Sequence, residues 1–176
     1  IDPVNAVCSV SFSKWLGLAG MRVGALGGAP ELIDECAAYS SSILGAGVAA
    51  QRGAEAGLRV KPEWMQTVRA INTSNQQMIR EAVAATEGLE LLVWPSFANF
   101  LCIGTEAAGV TPEQLVEAYR QEGVMIRQGK YHTARFGGGF IKVSTTVPED
   151  WARRFCTLLP AMMTKARGLT DVPALF

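Results

Sequence analysis

Lys14 follows hydroxyls at Ser11 and Ser13 and precedes Arg22, all within the run Ser11-Phe12-Ser13-Lys14-Trp15-Leu16-Gly17-Leu18-Ala19-Gly20-Met21-Arg22-Val23-Gly24. An amine can condense with an aldehyde to give a Schiff base. A guanidinium and a hydroxyl can together grip a phosphate. Gly17 and Gly20 allow positive φ and a close approach of backbone to ligand. These are the parts needed to hold a phosphorylated aldehyde cofactor. A lysine and an arginine alone would read as a surface amine and a guanidinium tied to a carboxylate; only the whole spacing points to a cofactor.

The elements around this run can be read from the pattern. Residues 6–11 form a short apolar strand that is expected to be buried and to lead straight into the Lys14 loop. Arg22 to Leu26 reads as a second strand closed by Gly27-Gly28, placing Arg22 back at the same strand end, where α/β folds commonly hold ligands. Pro30 opens a helix with Glu31 at its positive end, and this helix breaks near Ser40-Ser41-Ser42. A small-residue helix over 46–56 stops at Gly57, and its surface suits close packing against a helix or subunit. Lys61-Pro62-Glu63 opens the longest helical pattern, to about Thr86, with polar residues 72–77 interrupting its apolar stripe.

Beyond Gly88 the texture changes to short strands at 89–93, 100–103, 124–127 and 140–144. Thr111-Pro112 caps one intervening helix, and Pro148-Glu149-Asp150 opens the last, to about Arg167. The organisation is α/β: residues 1–60 as the end of one domain, 61–87 as a connecting helix and 88–176 as a small C-terminal domain. Two strands make a sheet too small to be stable alone, which points to a partner segment elsewhere.

Composition narrows the function classes. With 176 residues and 49% hydrophobic content the chain can bury a core. Sixteen basic and sixteen acidic residues cancel, and no basic block marks a nucleic-acid partner. Cys8, Cys36, Cys102 and Cys156 are scattered and read as buried or half-buried free thiols of a reducing compartment. With one histidine, His132, they build no metal site. No apolar run is long enough to span a bilayer, and the first residues do not resemble a signal peptide, so a cytoplasmic protein is the default. Gly24-x-x-Gly27-Gly28 lacks the spacing of a dinucleotide fingerprint.

The string S-x-S-K-x-x-G-L-A-G-x-R-x-G resembles the cofactor-lysine segment of the class I/II, fold-type I aminotransferases that use pyridoxal 5'-phosphate. The resemblance implies the end of the large cofactor-binding domain followed by the small α/β domain. It makes Lys14 the Schiff-base lysine and proton carrier, with Ser11 and Arg22 on the phosphate and Ser13 held more loosely. Ser96-Phe97-Ala98-Asn99-Phe100 and Gly123-Val124-Met125-Ile126-Arg127-Gln128-Gly129 resemble further family segments, in which Asn99 and Arg127 are structural anchors. The implied reaction moves an amino group from an amino acid to a 2-oxo acid in a homodimer. The resemblance also places the ring-nitrogen carboxylate and the ring-stacking aromatic upstream of Ile1, so the chain by itself is expected to be inactive.

One departure stands out. The family carries an arginine on the strand that reads here Gly139-Phe140-Ile141-Lys142-Val143-Ser144, to fork the substrate carboxylate. Three accounts compete: Lys142 binds the carboxylate as a point charge, Arg135 beside Gly137-Gly138-Gly139 swings in, or the contact is lost. His132 lies on a loop that the resemblance puts near the substrate entrance, and Trp15 is bulkier than the pattern needs. The departure keeps open a lyase, decarboxylase, cyclase or oxidase of the same fold, and a non-catalytic binding domain of aminotransferase shape.

Overall fold

The computed structural model describes residues 5–40 and 44–172. The fold is α/β. It divides into two compact units, one reaching to Thr67 and the other starting at Val68. The helix expected to break near Ser40-Ser41-Ser42 ends at Ala38, just ahead of Ser40; residues 41 and 42 lie outside the described residues.

In the first unit, β1 (Val7–Ser11) pairs antiparallel with β2 (Gly24–Gly28), in a register that sets Val7 opposite Gly28 and Ser11 opposite Gly24. Helix α1 (Pro30–Ala38) starts with Pro30 and Glu31 in its first turn, where a missing N–H does no harm and a negative charge meets the helix dipole. Helix α2 spans Val48–Arg59. The unit closes on a small core of Phe12, Val23, Ala50 and Ala54, with Trp15, Leu16 and Leu18 packed against it.

Three expectations change here. The strand expected to be buried is exposed along its length, with Val7 at 43%, Val10 at 37% and Leu26 of its partner at 53%. Two strands form too narrow a layer to cover, and Ile33 of α1 reaches only the Gly28 end. Gly57 does not stop α2 but lies inside it, where a Cβ would come within 2.8 Å of the Leu16 side chain. Cys8 and Cys36 are exposed, whereas Cys102 and Cys156 are partly buried.

In the second unit, β3 (Glu90–Leu91), β4 (Phe100–Gly104), β5 (Arg127–Gln128) and β6 (Phe140–Ser144) form one four-stranded antiparallel sheet in the order β3-β4-β6-β5. Alternation along β4 and β6 sends Leu101, Ile103, Ile141 and Val143 to a buried face. There they meet apolar residues of α3 (Lys61–Ala84), α4 (Pro112–Gln121) and α5 (Glu149–Arg167). Phe100, Cys102 and Lys142 take the other, half-buried face. Thr111 and Gln114 make a reciprocal capping box at the start of α4. Tyr119 of α4 stacks on Phe155 of α5 at 4.8 Å and donates its hydroxyl to the Phe155 carbonyl.

The strand expected over 124–127 pairs only from Arg127, because the Val124 N–H already donates to the Tyr119 carbonyl at the end of α4. The polar interruption of α3 also has a physical reason. Asn75 donates to the carbonyls of Thr145 and Val147, and Asn72 and Gln76 both donate to that of Ala98. Loop carbonyls brought against a helix need donors, and apolar residues there would leave them unpaired. Among the described residues, no helix is long and apolar enough to cross a membrane.

Candidate active site

Lys14 stands on the turn that leaves β1. Its carbonyl accepts from the Gly17 N–H at 3.2 Å, and the Leu18 N–H closes a wider turn onto the Phe12 carbonyl. Gly17 takes φ +68°, a conformation that favours glycine. Phe12 is buried beneath the turn, while Lys14 is exposed. The lysine is thus presented outward from a turn with an anchored base.

Beside it lies a cleft of about 380 Å³ lined by Ser9, Ser11, Ser13, Arg22 and residues of β2. The Ser11 hydroxyl oxygen accepts from the Ser13 N–H at 3.2 Å, leaving its own proton to donate. Arg22 gives one N–H to the Ala19 carbonyl at 2.8 Å, which fixes the guanidinium and leaves other donors on its fork. Among the described residues Arg22 makes no ion pair, and no carboxylate lines the cleft. Three serine hydroxyls and an uncompensated guanidinium suit an anionic, phosphate-bearing ligand. Lys14 does not line this cleft but follows Ser13 at its rim.

Arg22 departs from the strand position expected for it. It sits two residues ahead of β2 at φ +49°, ψ +49°, capping a short 3₁₀ turn over Ala19–Met21. A non-glycine residue in the left-handed region carries strain, of order 1 kcal/mol. Reversing the chain at Arg22 returns its side chain to Ser11 and Ser13, so the strain accompanies the gathering of the donors.

The second unit holds the other expected residues. Lys142 on β6 has Cys102 of β4 opposite on one side and Arg127 of β5 on the other. Cross-strand partners share a face, so Lys142 and Arg127 form a cationic row. The Lys142 ammonium lies 4.1 Å from the centroid of the Phe100 ring, and the Arg127 guanidinium lies 4.5 Å from that of Tyr131. His132 joins them: burial, then the charges of Lys142 and Arg127, hold its imidazole below the ordinary value. Burial raises the Cys102 thiol, with Lys142 opposing. Arg135 is exposed and rests over Phe136 at 5.0 Å.

The loop carrying His132 and Arg135 is drawn shut by two glycines. A Cβ on Gly129 would meet the Gly137 carbonyl oxygen at 2.6 Å, and one on Gly137 would run into the Lys130 nitrogen. Lys130 itself pairs with Glu113 of α4 at 3.0 Å. The sequence alone reads Arg127 as a strand anchor and His132 as a loop residue; the register of β5 on β6 sets Arg127 beside Lys142, and His132 feels the charges of both. The Asn99 carbonyl accepts from the Thr145 N–H at 2.9 Å.

Residues 2–159 match the model of the family "Aminotransferase class I and II". The chain is 33% identical over 150 residues to an aromatic amino acid aminotransferase of Corynebacterium jeikeium, covering 84% of this chain and 37% of that one. It is 32% identical over 127 residues to a histidinol-phosphate aminotransferase of Roseiflexus castenholzii, covering 70% of this chain and 32% of that one. The chain therefore spans about a third of the length of these two relatives. Its fold matches the crystal structure of a histidinol-phosphate aminotransferase from Sinorhizobium meliloti in complex with pyridoxal 5'-phosphate, with a TM-score of 0.75 at 22% identity over 93% of this chain and 42% of that one. The lysine turn and its donors lie inside the matched residues, and the chain belongs to the class I and II aminotransferases.

Proposed function

We propose that the protein carrying this chain is a pyridoxal-phosphate-dependent aminotransferase, transferring an amino group from an amino acid to a 2-oxo acid. The observation that carries the proposal is the exposed Lys14 on an anchored turn, at the rim of a cleft whose donors are Ser11, Ser13 and Arg22. When bound, the cofactor supplies an aldehyde for the lysine and a ring that draws electrons from the substrate α-carbon. Ser11, Ser13 and Arg22 hold its phosphate, an assignment that their free donor capacity fits. Lys14 would hold it through its side-chain amine, and that amine, when free, would take and return the substrate α-proton.

Lys142 is assigned the substrate carboxylate as a point charge, with Arg127 beside it in the row. Its place on the sheet face favours it over Arg135, which is exposed and stacked on its neighbour. The division into large and small domains, the contribution of upstream residues, the homodimer and the cytoplasmic setting belong to the same proposal and follow the family resemblance. The sequence relatives named above are aminotransferases, which supports transamination over lyase or decarboxylase chemistry.

The test uses the full-length protein loaded with pyridoxal 5'-phosphate. Borohydride reduction and peptide mapping should place the pyridoxyl group on Lys14. Lys14→Ala should abolish the visible absorbance and lower 2-oxo acid formation from a panel of amino acids by about a thousandfold. Lys142→Ala should raise KM for the amino acid about tenfold, with a smaller change in kcat. Colour and transamination retained without Lys14 would overturn the proposal.

A further inference from the structure

The residues on either side of Lys14 are held from a distance. The Trp64 indole Nε1–H, in the first turns of α3, donates to the Trp15 carbonyl at 2.7 Å across 49 residues of sequence. The Trp15 ring packs edge-on against Phe12 at 5.7 Å and carries the Lys61 ammonium at 5.1 Å from its centroid. One residue further, Leu16 fills the space left by Gly57 of α2, where a Cβ would meet its two methyls at 2.8 and 3.0 Å. Trp15 is therefore turned to holding the loop and does not line the cleft. Nothing in this arrangement touches the Lys14 side chain, yet it grips the two residues that follow it.

We propose that Trp64 and Gly57 are positioning residues for Lys14, setting the direction of its amine through the Trp15 carbonyl and the Leu16 side chain. The proposal rests on Lys14 being the cofactor lysine. The Trp15 carbonyl belongs to the Trp15–Leu16 peptide, so the indole keeps that peptide from swivelling and steadies the turn that carries Lys14, whose own carbonyl is held by the Gly17 N–H. Without the indole donor, the Trp15–Leu16 peptide can rotate, and the turn that carries Lys14 loosens. With a methyl at position 57, the Leu16 side chain must give way, which disturbs its packing on the small core beside the turn. Both changes alter the angle at which the amine meets an aldehyde, while the hairpin and the phosphate donors stay in place.

The experiment uses the full-length protein with pyridoxal 5'-phosphate. Trp64→Phe keeps an aromatic ring and removes the donor, whereas Trp64→His restores an N–H at nearly the same point. Visible circular dichroism reports the asymmetry of the bound cofactor, and equilibrium titration gives its Kd. Trp64→Phe should weaken the visible dichroic band and raise Kd about tenfold, the scale of one hydrogen bond. Its thermal midpoint should stay close to the parent's, and Trp64→His should recover both signals. Gly57→Ala should perturb the same band although it improves helix propensity. If Trp64→Phe does not fold, Gly57→Ala decides by the same readouts. An unchanged band and Kd in the folded variants would overturn the proposal while leaving Lys14 in its role. Borohydride fixation of the cofactor at a residue other than Lys14 in the parent would overturn both.

Discussion

In the first unit, β1 and β2 leave Val7, Val10 and Leu26 in solvent; in the second, the alternating positions Leu101, Ile103, Ile141 and Val143 are buried under three helices. The two regions place their functional side chains by different means. Around Lys14 the chain doubles back: a glycine at positive φ and a strained arginine bring hydroxyls and a guanidinium around one cleft. Around Lys142 the sheet does the work, because register alone sets Arg127 beside it. A site made by chain reversal needs little core. A site made by register depends on the core beneath the sheet, since a slip of one residue would turn Lys142 inward.

The largest expected effect tests this directly. Ile141→Ala, at a fully buried position, should destabilise the second unit by about 2–5 kcal/mol, whereas Val10→Thr on the exposed strand should change stability by under about 0.5 kcal/mol. Denaturant unfolding of this chain followed by circular dichroism measures both. Equal losses would show that the hairpin is packed as tightly as the sheet, and the contrast would fail.

A smaller effect concerns acid. Glu117 of α4 is buried and accepts from the Arg120 guanidinium through both carboxylate oxygens and from the Gln121 amide, which holds its carboxyl down at about 2. Because this lies below the unfolded value of about 4.3, the stabilisation is complete at neutral pH and is lost as pH falls through that value toward 2. Glu117→Gln should therefore melt below the parent at pH 7, with the gap closing by about pH 2. Thermal melts at four or five pH values would show this, and a gap independent of pH would contradict it.

The mildest probe is chemical. A thiol reagent at pH 8 should modify exposed Cys8 and Cys36 before Cys156, which burial pushes up to about 11, and before Cys102. Mass mapping over time gives the order. Early labelling of Cys156 would mean that the second unit opens more readily than its core suggests.

Much of this was legible in the sequence where the cause is local. The Lys14 run, the capping box at Thr111 and the start of α1 at Pro30 each depend on neighbours within a few residues, and each lies close to where the pattern puts it. What was not legible depends on distant partners. Gly57 looks like a helix stop until Leu16 is seen against it. Asn75 and Gln76 look like a break in an apolar stripe until the carbonyls of Thr145, Val147 and Ala98 arrive. Apolar residues 6–11 look buried because composition cannot say whether a second layer covers them. The grouping of Arg127, His132 and Lys142 needs a register that no short stretch encodes.

The glycine pair at 129 and 137 has a consequence for how such a protein diversifies. The path of the loop between them is set by residues without side chains, whereas Tyr131, His132, Arg135 and Phe136 decorate that path and are exposed. Exchanges at the decorating positions can alter what the loop contacts without re-laying its backbone. Mutation at either glycine would disturb the whole loop at once. Substitutions at these exposed positions can thus change what the loop presents one residue at a time, over an unaltered backbone.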